Sequence, residues 1–214
     1  MKKRLLIATS NPGKLAEIKK YLSDMPIELV GLNDIHISER PEETGKTFEE
    51  NAILKAEFYA ERSGLPTIGD DGGLEVDALH GEPGVKSHRW IHGDRDDNDE
   101  ELIHYTIQKL MGLPPSKRGA QLRAVIALVL PDGQTFTAEA ATRGVITETP
   151  SSKRTEGFPY RSLLFLPEIN KFYNDQELTE KENEVYNHRR KALNKLKPII
   201  QKLLLSPTDN QCTS

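Results

Sequence analysis

Apolar and polar positions change period several times along the chain. "RLLIA" opens an apolar run that reads as a buried strand at about 4–9, and the spacing after it reads as a helix at about 13–23. A short strand near 27–31 and a helix at about 47–63 continue the alternation, with Phe48, Ala52, Ala56 and Ala60 forming the apolar stripe of that helix. Strands alternating with helices predict an α/β fold. Further on, a polar-to-amphipathic helix is expected at about 97–112. The run "AQLRAVIALVLPDGQTFTAEAATRGVI" reads as two strands turning at Pro131, Asp132 and Gly133, which adds antiparallel pairing and predicts a mixed sheet. The pattern at 181–205 predicts one helix that Pro198 kinks or divides. With no repeat and no low-complexity linker, residues 1–205 are expected to form one unit, followed by a polar tail at 206–214.

Composition narrows the partners. At 36% hydrophobic and 29% charged residues with a net charge of -4, the chain has the balance of a polar globular protein. That balance lacks the basic excess of a nucleic-acid binder, yet leaves room for a basic pocket that takes a small anion. The single cysteine, Cys212, excludes an intramolecular disulfide and a thiolate metal cluster, which fits a reducing, cytoplasmic setting. The start "MKKRLLIATSNPGK" interrupts its apolar run too soon for a signal peptide, and no apolar run reaches membrane-spanning length.

Four stretches offer chemistry. In "TIGDDGGLEVDAL", residues 67–79, Asp70 and Asp71 stand at what reads as a strand end, followed at once by Gly72 and Gly73. Taken alone, that stretch reads as a turn. The first strand leads into "TSNPGK", where Thr9, Ser10 and Asn11 precede a helix carrying Lys14 in its opening turn. Backbone N–H groups at a helix N-terminus plus a lysine make a phosphate cradle; the plainer alternative is that Ser10 or Asn11 caps the helix with Pro12 in its first turn. The loop is neither GxxxxGK[ST] nor GxGxxG. On the helix at 47–63, Asn51 and Lys55 share a face at i and i+4 spacing, so Lys55 points either across a cleft or to solvent, while Glu42 and Glu43 read first as surface charge. Near the C-terminus His188 and Arg189 present donors suited to carbonyl or phosphate oxygens. In "GFPY", Phe158 and Tyr160 offer faces for a base or for core packing.

The ordered set TSNPGK, EETGKTFEENAILKA, DDGGLEVDALHGEPGV, GF-Y and HRRKAL resembles the inosine triphosphate pyrophosphatase family over residues 5 to about 196. The resemblance implies an elongated mixed β-sheet flanked by helices, two lobes with a deep central cleft, and homodimers. It implies hydrolysis of deaminated purine nucleoside triphosphates (ITP, dITP, XTP) to the monophosphate and pyrophosphate, with a magnesium ion directing water onto the α-phosphorus. By the same resemblance Thr9 to Lys14 form the phosphate loop, Lys55 is a second phosphate contact, and Glu43 and Asp71 are metal-associated, Asp71 being the proton acceptor. His188 and Arg189 fall on the base edge. Asp70 is expected to raise the proton affinity of Asp71 or hold a water, and the glycines to leave room for the triphosphate. The base half departs from the family pattern: Gly72 replaces Ser, Pro159, Arg161 and Ser162 replace Gly, Asp and Pro, and Asn183 and Asn187 replace Lys and Ser. Arg161 is therefore expected to turn toward a base acceptor or the phosphates, or to swing into solvent. The competing readings are a member with a shifted nucleotide substrate and a nucleotide-binding protein without turnover.

Overall fold

A computed structural model describes residues 2–205; Cys212 and the expected tail at 206–214 lie outside them. The pentamer Arg4–Ala8, apolar apart from its first residue, forms β1, and Pro12–Tyr21 forms α1. Pro12 sits at the first helical turn, where a missing N–H costs nothing, and the Asn11 side chain caps the helix by accepting from the Lys14 N–H at 3.0 Å. Strand β2 is Glu28–Gly31. Helix α2, Phe48–Ser63, opens on a capping box between Thr47 and Glu50 and stops at Gly64 with φ +64°. The later elements are β3 (Thr67–Val76), α3 (Asp99–Lys109), β4 (Gly119–Val129), β5 (Thr135–Ile146), β6 (Leu164–Leu166), β7 (Lys171–Phe172), α4 (Glu180–Tyr186) and α5 (His188–Ile200).

Among the described residues the strands make one sheet in the order β2-β1-β3-β4-β5-β6-β7. β1 pairs in parallel with β2 and β3, and every later pairing is antiparallel, so the expected mixed α/β sheet with its β4–β5 hairpin is found. Two expectations fail. Asp70 to Gly73 are neither a turn nor a strand end: they lie inside β3, which pairs with β4 over its whole length from Thr67↔Val129 to Val76↔Ala120. Ten residues of cross-strand pairing outweigh the local turn preference of Asp-Gly. The single helix expected at 181–205 is two, because Asn187 takes an extended conformation that ends α4 and caps α5 through its side chain on the Arg190 N–H. Pro198 does not divide α5; a wider turn, Gln201–Leu205, follows its last residues.

Side-chain alternation along β3 organises the core. Ile68 belongs to a cluster with Leu5, Ile7, Ile18 and Leu193, under α1 and α5. Leu74 and Val76 face the same side but join a second cluster with Leu102, Ile103 and Leu164 under α3. Asp70 and Gly72 fall between the two clusters on that face. The opposite face of β4, through Val125, Ala127 and Val129, packs the α2 stripe of Phe48, Ala52, Ala56 and Ala60. No helix among the described residues is long and apolar enough to cross a membrane.

Candidate active site

β1 ends at Ala8 opposite Gly69, whereas β3 runs on to Val76. Beyond Gly69 the edge of β3 toward β1 is free of strand, which opens a crevice at the carboxyl end of β1, the usual ligand position in open α/β sheets. The crevice is a cavity of about 500 Å³ lined by Thr9, Ser10, Asn11 and Lys14, by Glu43, Asn51 and Lys55, by Asp70, Asp71 and Gly72, and by the loop Val85–Arg89. Strand alternation sends the two aspartates to opposite faces. Asp70 meets Lys14 Nζ at 2.8 Å and Arg189 Nε at 2.5 Å. Asp71 meets Lys55 Nζ at 3.0 Å and accepts from Asn51 Nδ2 at 3.3 Å. Lys55 Nζ also lies 3.3 Å from Glu43 Oε1, so one cation bridges the two carboxylates.

The pair is electrostatically unequal. Burial works to raise the Asp70 pKa, but Arg189 and Lys14 outweigh it and hold the carboxyl far below the usual range. Burial also raises Asp71, and there Lys55 and Lys14 only partly offset it while Glu43 pushes the same way. Asp71 is therefore the more basic carboxylate, as expected, but by burial and Glu43 rather than by Asp70, which faces away and spends its charge on Lys14 and Arg189. The glycines serve the packing and not an open space. A Cβ on Gly73 would stand 1.9 Å from Ser87 Oγ, which binds the Leu74 N–H at 2.9 Å, and a Cβ on Gly72 would stand 2.3 Å from the Arg123 carbonyl oxygen. Serine at 72 does not fit this backbone unless β4 moves.

The profile of the Ham1 family matches residues 5–199. The chain belongs to the Ham1 family. It is 41% identical over 193 residues to the dITP/XTP pyrophosphatase of Thermus thermophilus, covering 90% of this chain and 89% of that protein. It is 38% identical over 205 residues to the dITP/XTP pyrophosphatase of Streptomyces coelicolor, covering 94% and 98%. The solved structure of the Staphylococcus aureus Ham1 protein matches the fold with a TM-score of 0.78 at 34% identity, over 94% of this chain and 99% of that one. These matches agree with the family to which the motifs pointed.

Behind the phosphate side of this Ham1-family chain a second, narrow cavity is walled by Lys14, Gly72, Phe158, Tyr160, Arg161, His188 and Arg189, so the structure brings the residues carried over by resemblance to one place. Their side chains are mostly occupied. Glu17, which the sequence reading passed over, is the pivot: its carboxylate holds Arg161 NH2 at 2.7 Å and Arg189 NH1 at 2.6 Å, and accepts from Asn187 Nδ2 at 3.2 Å. Burial works to raise the Glu17 pKa, but Arg161 and Arg189 bring it from 4.5 down to about 2. Arg161 is 2% exposed and pairs also with Asp175 at 2.7 Å, so it neither swings into solvent nor keeps its terminal nitrogens free for base or phosphate. Only its Nε lacks a partner. Phe158 has one face covered by the Arg161 guanidinium, 3.9 Å from its ring centre, and an edge against Gly13, and its ring lines the second cavity. Tyr160 takes the packing role, buried in the second core with its hydroxyl donating to the Ser87 carbonyl. His188 hydrogen-bonds Tyr173 through Nδ1 at 2.8 Å, and burial with Arg189 and Arg161 beside it keeps the ring neutral. Asn183 accepts from the Tyr21 hydroxyl at 2.9 Å and donates to Asp175, so the two asparagines extend the same network.

Of the phosphate loop, Asn11 is both cap and strut, since its Nδ2 donates to the Gly157 carbonyl at 3.3 Å and ties this loop to the Phe158 loop. Thr9 Oγ1 accepts from the Asn11 N–H at 3.2 Å, and Ser10 is exposed at the crevice. A separate group, His92, Asp97 and Glu101, gathers possible metal ligands. Its bonds are already used: His92 Nδ1 meets Asp97 at 2.6 Å, Asp97 accepts from the Ile91 N–H, and Glu101 closes the cap of α3.

Proposed function

We propose that this chain hydrolyses nucleoside triphosphates between the α- and β-phosphorus, releasing the monophosphate and pyrophosphate, with deaminated purine nucleotides such as ITP, dITP and XTP as substrates. The observation that carries this reading is the arrangement of Asp71, Glu43 and Lys55 beside Lys14 and the α1 N-terminus, a carboxylate pair next to cations at the carboxyl end of β1. Relatives at 38–41% identity named dITP/XTP pyrophosphatase support it. A protein that only bound nucleotides would have no use for a buried carboxylate of raised proton affinity at this point.

Lys14 and the N–H groups opening α1 bind phosphate oxygens, and Lys55 adds charge from the opposite face. Asp71 accepts the proton of the attacking water, and its buried, Lys55-oriented carboxylate is positioned for that. The donor set fits magnesium: Glu43 and Asp71 offer hard oxygen ligands close enough together that one lysine ammonium already serves both. Bound there with substrate, magnesium would neutralise phosphate charge and polarise the water. On the base side the neutral His188 faces a 6-keto purine, and Arg189, held by Asp70 and Glu17, positions the wall beside it. Homodimer assembly belongs to this proposal on the same resemblance, and a cytoplasmic setting on the single cysteine.

Incubation with magnesium and a panel of ITP, dITP, XTP, ATP and GTP, scoring both phosphate products, checks it. Pyrophosphate is expected from the first three well ahead of ATP, with weaker discrimination against the 6-keto purine GTP, and chelation of the metal is expected to stop its release. Orthophosphate as the product, or equal rates on all five, would contradict the reading.

A further inference from the structure

The two cavities share four lining residues, Lys14, Gly72, Ser87 and His88, which form the neck between the phosphate side and the base side. Three of them are accounted for. Lys14 Nζ is on Asp70, Gly72 has no side chain, and Ser87 Oγ donates to the Gly84 carbonyl at 2.6 Å while accepting from the Leu74 N–H. The His88 ring makes no hydrogen bond among the described residues, although its backbone is pinned: its carbonyl accepts from the Asp97 N–H at 2.7 Å, and the Ser87 N–H before it donates to Gly84. A ring on a pinned backbone, with free polar atoms at a cavity neck, has the geometry of a contact to whatever passes through the neck.

The charges acting on this ring are the positive Lys14 and Lys55 and the negative Asp96 and Glu43. Burial and the lysines hold its pKa down to about 4, so in the free protein the imidazole is neutral, with one N–H donor and one acceptor nitrogen. A hydroxyl donates and accepts, and matches either tautomer. A nucleotide with its phosphates on Lys14 and its base beside His188 must place its pentose at this neck. We infer that His88 contacts a pentose hydroxyl of the nucleoside triphosphate and so sets the sugar preference of this chain, an inference that rests on the pyrophosphatase reading above.

The test measures kcat/KM for ITP, 2′-deoxy-ITP and 3′-deoxy-ITP with wild type, His88→Ala and His88→Asn. One neutral hydrogen bond corresponds to about a three- to tenfold loss. His88→Ala is expected to lose that much on ITP, chiefly through KM, and to be unchanged on the one analogue that lacks the contacted hydroxyl. That analogue tells the 2′ contact from the 3′ contact. His88→Asn keeps a donor and an acceptor on a folded chain, and is expected to recover part of the loss on ITP and on the analogue that retains the contacted hydroxyl. Equal losses on all three substrates, or no loss on any, would overturn the sugar contact while leaving the pyrophosphatase reading intact. A wild type that releases no pyrophosphate from any of them would overturn that reading, and this inference with it.

Discussion

Asp71→Asn is expected to cut pyrophosphate release by on the order of 10²- to 10⁴-fold, the usual effect of losing a positioned general base. The amide keeps the volume and the contact with Asn51, so no cavity opens in the strand. Lys55 keeps Glu43 at 3.3 Å and is not stranded as a lone buried cation. The fold is therefore expected to survive, and thermal unfolding of the variant checks that the loss is chemical. A variant that keeps most of the wild-type turnover at saturating substrate and magnesium would remove Asp71 from the reaction.

Glu17→Gln is expected to produce the largest loss of stability. Glu17, Asp70 and Asp175 balance Arg161, Arg189 and Lys14 in a largely buried lattice, and removing the pivot leaves one positive charge uncompensated where the two guanidiniums meet. Breaking a buried pair in this way costs about 3–5 kcal/mol, which for a chain of this size lowers Tm by about 6–20 °C. The pH dependence gives a second readout. The folded pKa of Glu17 lies below its ordinary value, so its contribution is fully present above pH 4.5 and is lost as the pH falls toward about 2. The gap between wild type and variant should narrow across that window. Equal Tm values at neutral pH would show that the lattice contributes nothing net.

Wherever periodicity is strong and pairing is local, the sequence was readable. β1 with α1, the α2 stripe and the β4–β5 hairpin all stand where apolar spacing puts them. The stretch Asp70–Gly73 was misread because Asp and Gly carry turn preferences, while its strand character comes from its pairing with β4, which is distant in sequence. β6 and β7 escaped because three and two residues show no period. The break at Asn187 was hidden by continuous helical spacing on both sides of a capping residue. In the site, residue types at motif positions were legible and their partners were not. Nothing in "DD" says that the side chains face opposite sides of the sheet. Nothing in Arg161 says that Glu17, on the first helix, neutralises it. Glu17 was legible only as a neighbour of Lys14, three residues along the same helix face.

The central claim is that the crevice between Lys14 and Asp71 directs water onto the α-phosphorus. Hydrolysis of dITP in ¹⁸O-labelled water, with the two products separated and weighed by mass spectrometry, tests it most directly. The account predicts one labelled oxygen in the nucleoside monophosphate and none in the pyrophosphate; label in the pyrophosphate would place the attack on the β-phosphorus and contradict it.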